Sequence, residues 1–289
     1  MNKQAAAMTV QSQTLSFLPN TSPIQMLEIV KKLFKKLIEI FITVSGFVIA
    51  KMCTPHQCYW AALLWVKWFF PLAAFVDRLV FRRHQKSFFN KTTLLKFILS
   101  AITRYAYIEI PFRSPNEQAL LEYHRKYGGF ILCSAHFGLT MAVFGFLEKH
   151  GLPVTSISDG GPRKNAYGWN WGCTEPLRLI KSDAKSLFKV RKALANDEIV
   201  LIYCDHAPDE NFQNDFLFLS PNIFEYSYKA SIPLLFLGVA LTHDGNIEIE
   251  FVEASYPIPT SREEMVVVME EFRLFVAQRM KKNISFQKK

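Results

Sequence analysis

Three short runs of almost unbroken apolar residues, 130–133, 199–204 and 234–241, limit what this chain can fold into. A strand with one wet face alternates apolar and polar residues, whereas a strand without alternation is covered on both faces. Strands of that kind sit in sheets whose connections are helices. The segments between them read accordingly: 117–126, 183–196 and 262–280 carry apolar residues at helical spacing. Within 183–196, Leu187, Val190, Ala193 and Leu194 fall on one side and Lys185, Lys189 and Lys192 on others. Further strands are expected at 108–112, 154–157 and 177–180, and at 247–252, which alternates like a half-buried strand. The expected fold from about residue 105 is therefore α/β, a mixed central sheet flanked by helices.

The first run follows a Gly128-Gly129 turn and ends in Ser134-Ala135-His136. Leu139, Val143, Phe146 and Leu147 then recur at helical spacing, so His136 stands where a strand gives way to a helix. In open α/β sheets ligands gather beyond the carboxyl ends of strands. An imidazole there exchanges its proton near neutral pH, and the amides of the helix start can face an anion. The other reading is a structural histidine at a strand end. The second run ends in the same way, in Asp205-His206.

Charge is unevenly spread. The chain of 289 residues has a net charge of +9, yet residues 1–104 hold 14 of its 34 Lys and Arg and 3 of its 25 Asp and Glu. The first third is thus +11 and the remainder −2. A basic segment can bind nucleic acid, but Phe, Leu, Ile and Trp dominate this one and it carries no nucleic-acid motif. Basic and apolar together fit a membrane surface. Residues 1–23 read as a loose tail with no signal-peptide pattern. From Pro23 onward Met26, Ile29, Val30, Leu33 and Leu37 make an amphipathic helix with Lys31, Lys32, Lys35 and Lys36 on other faces. The uncharged stretch 40–50 is shorter than the roughly 20 residues a spanning helix needs. Stretch 59–76 is eighteen residues with Lys67 as its one charge, and it holds Trp60, Trp65 and Trp68. A hairpin in the membrane, a single span, helices lying in the interface and a buried helix pair of a soluble protein all remain open here. Five cysteines without a CxxC pair fit a reducing compartment and no disulfide framework. Cys204-Asp205-His206 is too contracted for a zinc site, so no metal is expected.

Four blocks in order resemble the lysophospholipid acyltransferase superfamily, and most of all its bacterial lipid A late acyltransferase branch. They are Ser134-Ala135-His136-Phe137-Gly138; Pro162-Arg163-Lys164-Asn165; Ile202-Tyr203-Cys204-Asp205-His206 with the aromatic stretch 216–224; and Ala230-Ser231-Ile232-Pro233-Leu234. The resemblance covers roughly 105–255. It implies acyl transfer: His136 takes a proton from an acceptor hydroxyl or amine, which attacks the thioester of an acyl carrier protein or coenzyme A. No cofactor beyond that donor is implied. In the family a carboxylate five residues after the histidine orients and balances the imidazole. That position is Met141, which can do neither. Asp205 is the candidate replacement because it too ends a strand, and Asp159 is the next. Arg163, Lys164 and Arg178 suit phosphates of a lipid head, a carrier arm or coenzyme A, or form a solvated surface. Asn165 suits a substrate hydrogen bond or a turn cap, and His206, where the family has glutamine, a ligand contact or a buried histidine. Phe212, Phe216, Phe218 and Phe224 are candidates for an acyl groove or for core.

The expected layout is a tail at 1–23, a basic apolar helical membrane-anchor region at 24–104, an α/β acyltransferase-like domain at 105–282 and a basic tail at 283–289. The resemblance implies membrane lipids and a carrier or coenzyme A as partners, at a bacterial cytoplasmic (inner) membrane with the domain facing the cytoplasm. Because of Met141, a catalytically silent lipid-binding or scaffold protein on the same fold is the alternative. A soluble enzyme with a helical first domain is a third.

Overall fold

Strands that lack alternation occupy the middle of the sheet, as their burial on both faces requires. A computed structural model describes residues 23–80, 90–158, 171–175, 177–205, 216–280 and 283–286. In chain order these form α1 (Pro23–Met52), α2 (Pro55–Val80), α3 (Lys91–Ile102), β1 (Phe112–Arg113), α4 (Glu117–Tyr127), β2 (Ile131–Ser134), α5 (Ala142–Lys149), β3 (Val154–Ser158) and β4 (Arg178–Lys181). There follow α6 (Ser186–Leu194), β5 (Ile199–Tyr203), β6 (Phe216–Leu219), α7 (Asn222–Ala230), β7 (Leu234–Leu241), β8 (Ile247–Glu253), α8 (Arg262–Met280) and β9 (Asn283–Phe286). The chain divides into two compact units, Met1–Phe41 and Ile42–Lys289. The division falls within α1. The tail at 1–22 lies outside the described residues.

The main sheet has seven strands in the order β1-β8-β7-β2-β5-β3-β4. Every neighbouring pair is parallel except β7 with β8, so the architecture is α/β with a mixed sheet. All four residues of β2 and the first six of β7 are buried, whereas β8 alternates. Burying each large apolar side chain of this kind contributes about 1.5–3 kcal/mol.

Gly128 and Gly129 let α4 turn directly into β2. Gly128 has φ +67 and donates its N–H to the His124 carbonyl. A Cβ on Gly129 would lie 2.2 Å from the Leu194 carbonyl oxygen, a backbone contact that cannot give way.

The helices divide between the two faces. Phe146 of α5 packs edge-on against Phe112 and lies near Phe251 of β8. On the opposite face α7 and α8 pack through Ile223, Phe224, Val268, Phe272 and Val276 on Ile131, Cys133, Leu234 and Phe236. Helix α6 joins that face through Val190 and Ala193 against Ile180 and Val200. Thus β2 leads to a helix on one face, and its neighbour β5 leads, by way of β6, to a helix on the other. A cleft at strand ends is created where neighbouring connections part in this way.

Two elements depart from the sequence reading. Residues 283–286, expected as tail, form β9, which pairs in parallel with β6 as a separate two-stranded sheet. The expected strand at 108–112 pairs with β8 only through Phe112 and Arg113. Ile108 and Ile110 are nonetheless buried, and Pro111, which has no N–H to donate, contributes its carbonyl to the Ile247 amide.

Helix α2 is two-sided. Cys58, Tyr59, Ala62, Val66 and Ala73 are buried, and the Tyr59 hydroxyl donates to the Gly245 carbonyl at 2.7 Å, in the turn between β7 and β8. Trp60, Leu64, Trp68, Leu72 and Phe75 form an exposed apolar stripe on the other side. Pro55–Phe75 is, among the described residues, one helix long and apolar enough to cross a membrane.

Candidate active site

The register of β2 on β5 brings the two expected chemical groups together. Ser134 pairs with Tyr203, and the ladder runs on as the Cys204 amide donates to the Ser134 carbonyl at 2.8 Å. His136 and Asp205 each stand two residues beyond that pair. They are therefore level with each other at the carboxyl edge of the sheet, and by the two-residue pleat they share a face.

Asp205 Oδ1 lies 2.8 Å from His136 Nδ1. The same carboxylate accepts the His136 backbone N–H, at 3.0 Å to Oδ2 and 3.2 Å to Oδ1. The acid is sealed and the base is open: the Asp205 side chain is 3% exposed and the His136 side chain 31%. A buried carboxylate is costly unless it accepts hydrogen bonds, and here both come from one residue. Further along the chain, Asp205 bridges to Leu219 and the Ser220 amide donates to the Cys204 carbonyl at 2.6 Å. With an ionised acid against Nδ1, the ring proton sits on Nδ1 and Nε2 carries the free lone pair. Among the described residues Nε2 has no hydrogen-bond partner.

Tyr203 completes the arrangement. Its ring stacks on the imidazole, with centroids 4.2 Å apart and planes at 21°. Its hydroxyl donates to the Met141 sulfur at 3.2 Å. Burial, and then the charge of Asp205, push the phenol up, so it stays neutral and protonated across the physiological range. Met141 stands just before α5, and its thioether engages this phenol where the acyltransferase pattern has an acid on the imidazole. Tyr203 was not among the residues singled out from the sequence. An aromatic inside an apolar run reads as core, although its place two residues before Asp205 puts it on the same face.

After His136 the chain turns tightly. The Phe137 amide donates to the Ala135 carbonyl at 2.8 Å, and the Thr140 hydroxyl donates to the same oxygen at 3.0 Å. Gly138, with φ +85, lets the start of α3 approach: a Cβ there would meet Thr92 Cγ2 at 3.0 Å. Helix α3 is capped by Asn90, whose side chain accepts the Thr93 amide at 2.7 Å, and Lys91 Nζ lies 5.8 Å from the Phe70 ring centroid of α2. Helix α3, which packs on α2, therefore abuts the turn that follows the histidine.

Arg178 is placed apart from this site. It opens β4, level with Thr155, Val200 and Ile131, at the opposite edge of the sheet from His136. Its guanidinium pairs with Glu198 at 3.3 Å. Arg163, Lys164, Asn165 and His206 lie outside the described residues, as do Asp159 and Phe212. Phe224 is fully buried and packs on Phe272 in the core, whereas Phe218 is exposed. Among the described residues no group of three or more His, Cys, Asp and Glu could hold a metal ion. Comparison with protein-family models and with curated protein sequences finds no match to this chain.

Proposed function

We propose that this protein is a membrane-associated acyltransferase of the lysophospholipid acyltransferase type. It moves a fatty acyl group from a carrier-protein or coenzyme A thioester to a hydroxyl or amine of a glycolipid or similar amphiphile. The observation that carries the reading is the Asp205 carboxylate on His136 Nδ1, with the acid buried and the imidazole side chain 31% exposed.

Nε2 removes the acceptor proton as the acceptor oxygen or nitrogen attacks the thioester carbonyl. The imidazolium so formed is balanced by Asp205, as in triad logic. The tetrahedral adduct then collapses, the carbon–sulfur bond breaks, and the leaving thiolate takes the proton back from Nε2. Acyl group, proton and electron pairs all balance without a covalent enzyme intermediate.

The exposed apolar stripe of α2 supports a lipid acceptor, and α3, the next element in the chain, meets the turn at Gly138, two residues after the base. A bacterial cytoplasmic membrane, with the sheet on the cytoplasmic side, fits the basic first third of the chain.

The test is transfer of a radiolabelled acyl group to a membrane lipid extract, from acyl carrier protein and from coenzyme A, by wild type and His136→Ala. Product from wild type and a loss of at least about a hundredfold in the variant are expected. Equal product from both sinks the reading.

A further inference from the structure

We propose that the outer face of α6 is the seat of an acidic carrier protein that delivers the acyl thioester. This rests on the reading of the site as an acyltransferase, and it gives the donor a place on the molecule.

Between Lys181 and Lys192 the chain holds five cations and one acid, against a net of −2 over residues 105–289. Lys189 is paired with Asp183 at 3.0 Å. Lys181, Lys185, Arg191 and Lys192 are exposed, and none of them is in a salt bridge among the described residues, although the charge of Lys181 also acts on Asp183. Among them stand Leu187, 54% exposed, and Phe188, 74% exposed. The sequence pattern sets Leu187 on the inner side of this helix. In the structure Val190 and Ala193 make the core contact instead. Two adjacent large apolar side chains left in water, ringed by four cations, match an acidic surface with an apolar centre.

Location supports the same partner. β4 runs parallel to β3, and β5 parallel to both β3 and β2, so Lys181 at the end of β4 lies at the same sheet edge as His136 and Asp205. β4 is two strands from β5, about 10 Å by ordinary strand spacing. A carrier seated at the start of α6 therefore has its attachment point beside the edge that holds the base. Lipid is the weaker occupant. Helix α6 has nine residues and offers two apolar side chains, whereas α2 offers a stripe of five. A small, charged, weakly apolar contact is the kind that transient partners use.

The experiment uses the full chain and two variants, Lys185→Glu with Lys192→Glu, and Phe188→Ser. All three sites are exposed, so folding is not at stake. Binding of an acidic acyl carrier protein is titrated, and transfer is measured from acyl carrier protein and from acyl-coenzyme A. Each variant should bind the carrier at least about tenfold more weakly and keep its coenzyme A rate within about twofold. Raising salt from about 0.05 to 0.5 M should weaken wild-type binding far more than that of the charge-reversed variant. Carrier affinity within about twofold of wild type in both variants overturns the proposal, as does failure of wild type to bind. Loss of binding to vesicles of phosphatidylcholine with roughly a third phosphatidylglycerol, with carrier affinity kept, overturns it in favour of a lipid contact. If wild type transfers from neither donor, the acyltransferase reading fails while the carrier titration still decides the seat.

Discussion

The Tyr203 hydroxyl donates to the Met141 sulfur at 3.2 Å while the Tyr203 ring lies flat on the His136 imidazole. The residue standing where an acid is expected thus holds the plate on which the base rests. The acid itself arrives from the neighbouring strand as Asp205.

Replacing Asp205 by Asn removes the negative charge that balances the imidazolium and disturbs the bond that keeps the proton on Nδ1. The rate should fall by about two to four orders of magnitude, with the fall in kcat rather than KM. Steady-state kinetics check this, and a variant within threefold of wild type contradicts the assignment.

Tyr203→Phe keeps the stacked ring and loses the hydroxyl, so its rate should stay within about threefold of wild type. Tyr203→Leu loses the stack, and an aromatic pair worth about 0.5–1.5 kcal/mol corresponds to up to about tenfold. A ranking of Phe above Leu in kcat is the signature. Equal losses point to the hydroxyl instead.

Met141→Glu places an acid where the acyltransferases that the sequence resembles carry one. Nδ1 is already taken by Asp205, and the new carboxylate would face a buried phenol. Activity should stay level or drop. A rise beyond about threefold would show that Asp205 does not do the acid's work.

Glu148, at the end of α5, accepts the Thr174 amide at 2.9 Å and also the Thr174 hydroxyl. Burial pushes its carboxyl up, but these bonds from Thr174, with one from Cys173, outweigh that and hold it below the usual carboxylate range. A lowered folded-state value means the stabilisation is present above the ordinary carboxylate range near pH 4.5 and fades as pH falls through the folded value. The Tm difference between wild type and Glu148→Gln should therefore be largest near pH 7 and shrink toward pH 3. A gap that is constant with pH rules the linkage out.

Leu64→Ser with Trp68→Ser interrupts the exposed stripe of α2 and leaves its buried face intact. Co-sedimentation with vesicles should fall at least about tenfold, since each buried apolar side chain is worth about 1.5–3 kcal/mol. Unchanged sedimentation would mean that the stripe faces something other than lipid.

Much of the central sheet was legible because full burial erases alternation: the runs at 130–133, 199–204 and 234–241 became β2, β5 and β7. The half-buried β8 kept its alternation and was read for the same reason. The pairing of β6 with β9 was hidden, since two four-residue strands joined across more than sixty residues leave no local signal. At the site, His136 and Asp205 each announced themselves by ending an apolar run. Their contact depended on register, which a single sequence does not display. Tyr203 was disguised by its own burial, and Leu187 by a helical period that the short α6 does not use on that side.

His136 and Asp205 are 69 positions apart in the chain. A histidine paired with an acid one helical turn away would exist as soon as its local segment formed. This pair exists only once two distant strands have docked in the correct alignment; even a two-residue slip, which would keep every side chain on its own face, would part the two groups. Under the proposed activity, turnover would gauge completed topology: a half-folded chain, however compact, lacks the pair.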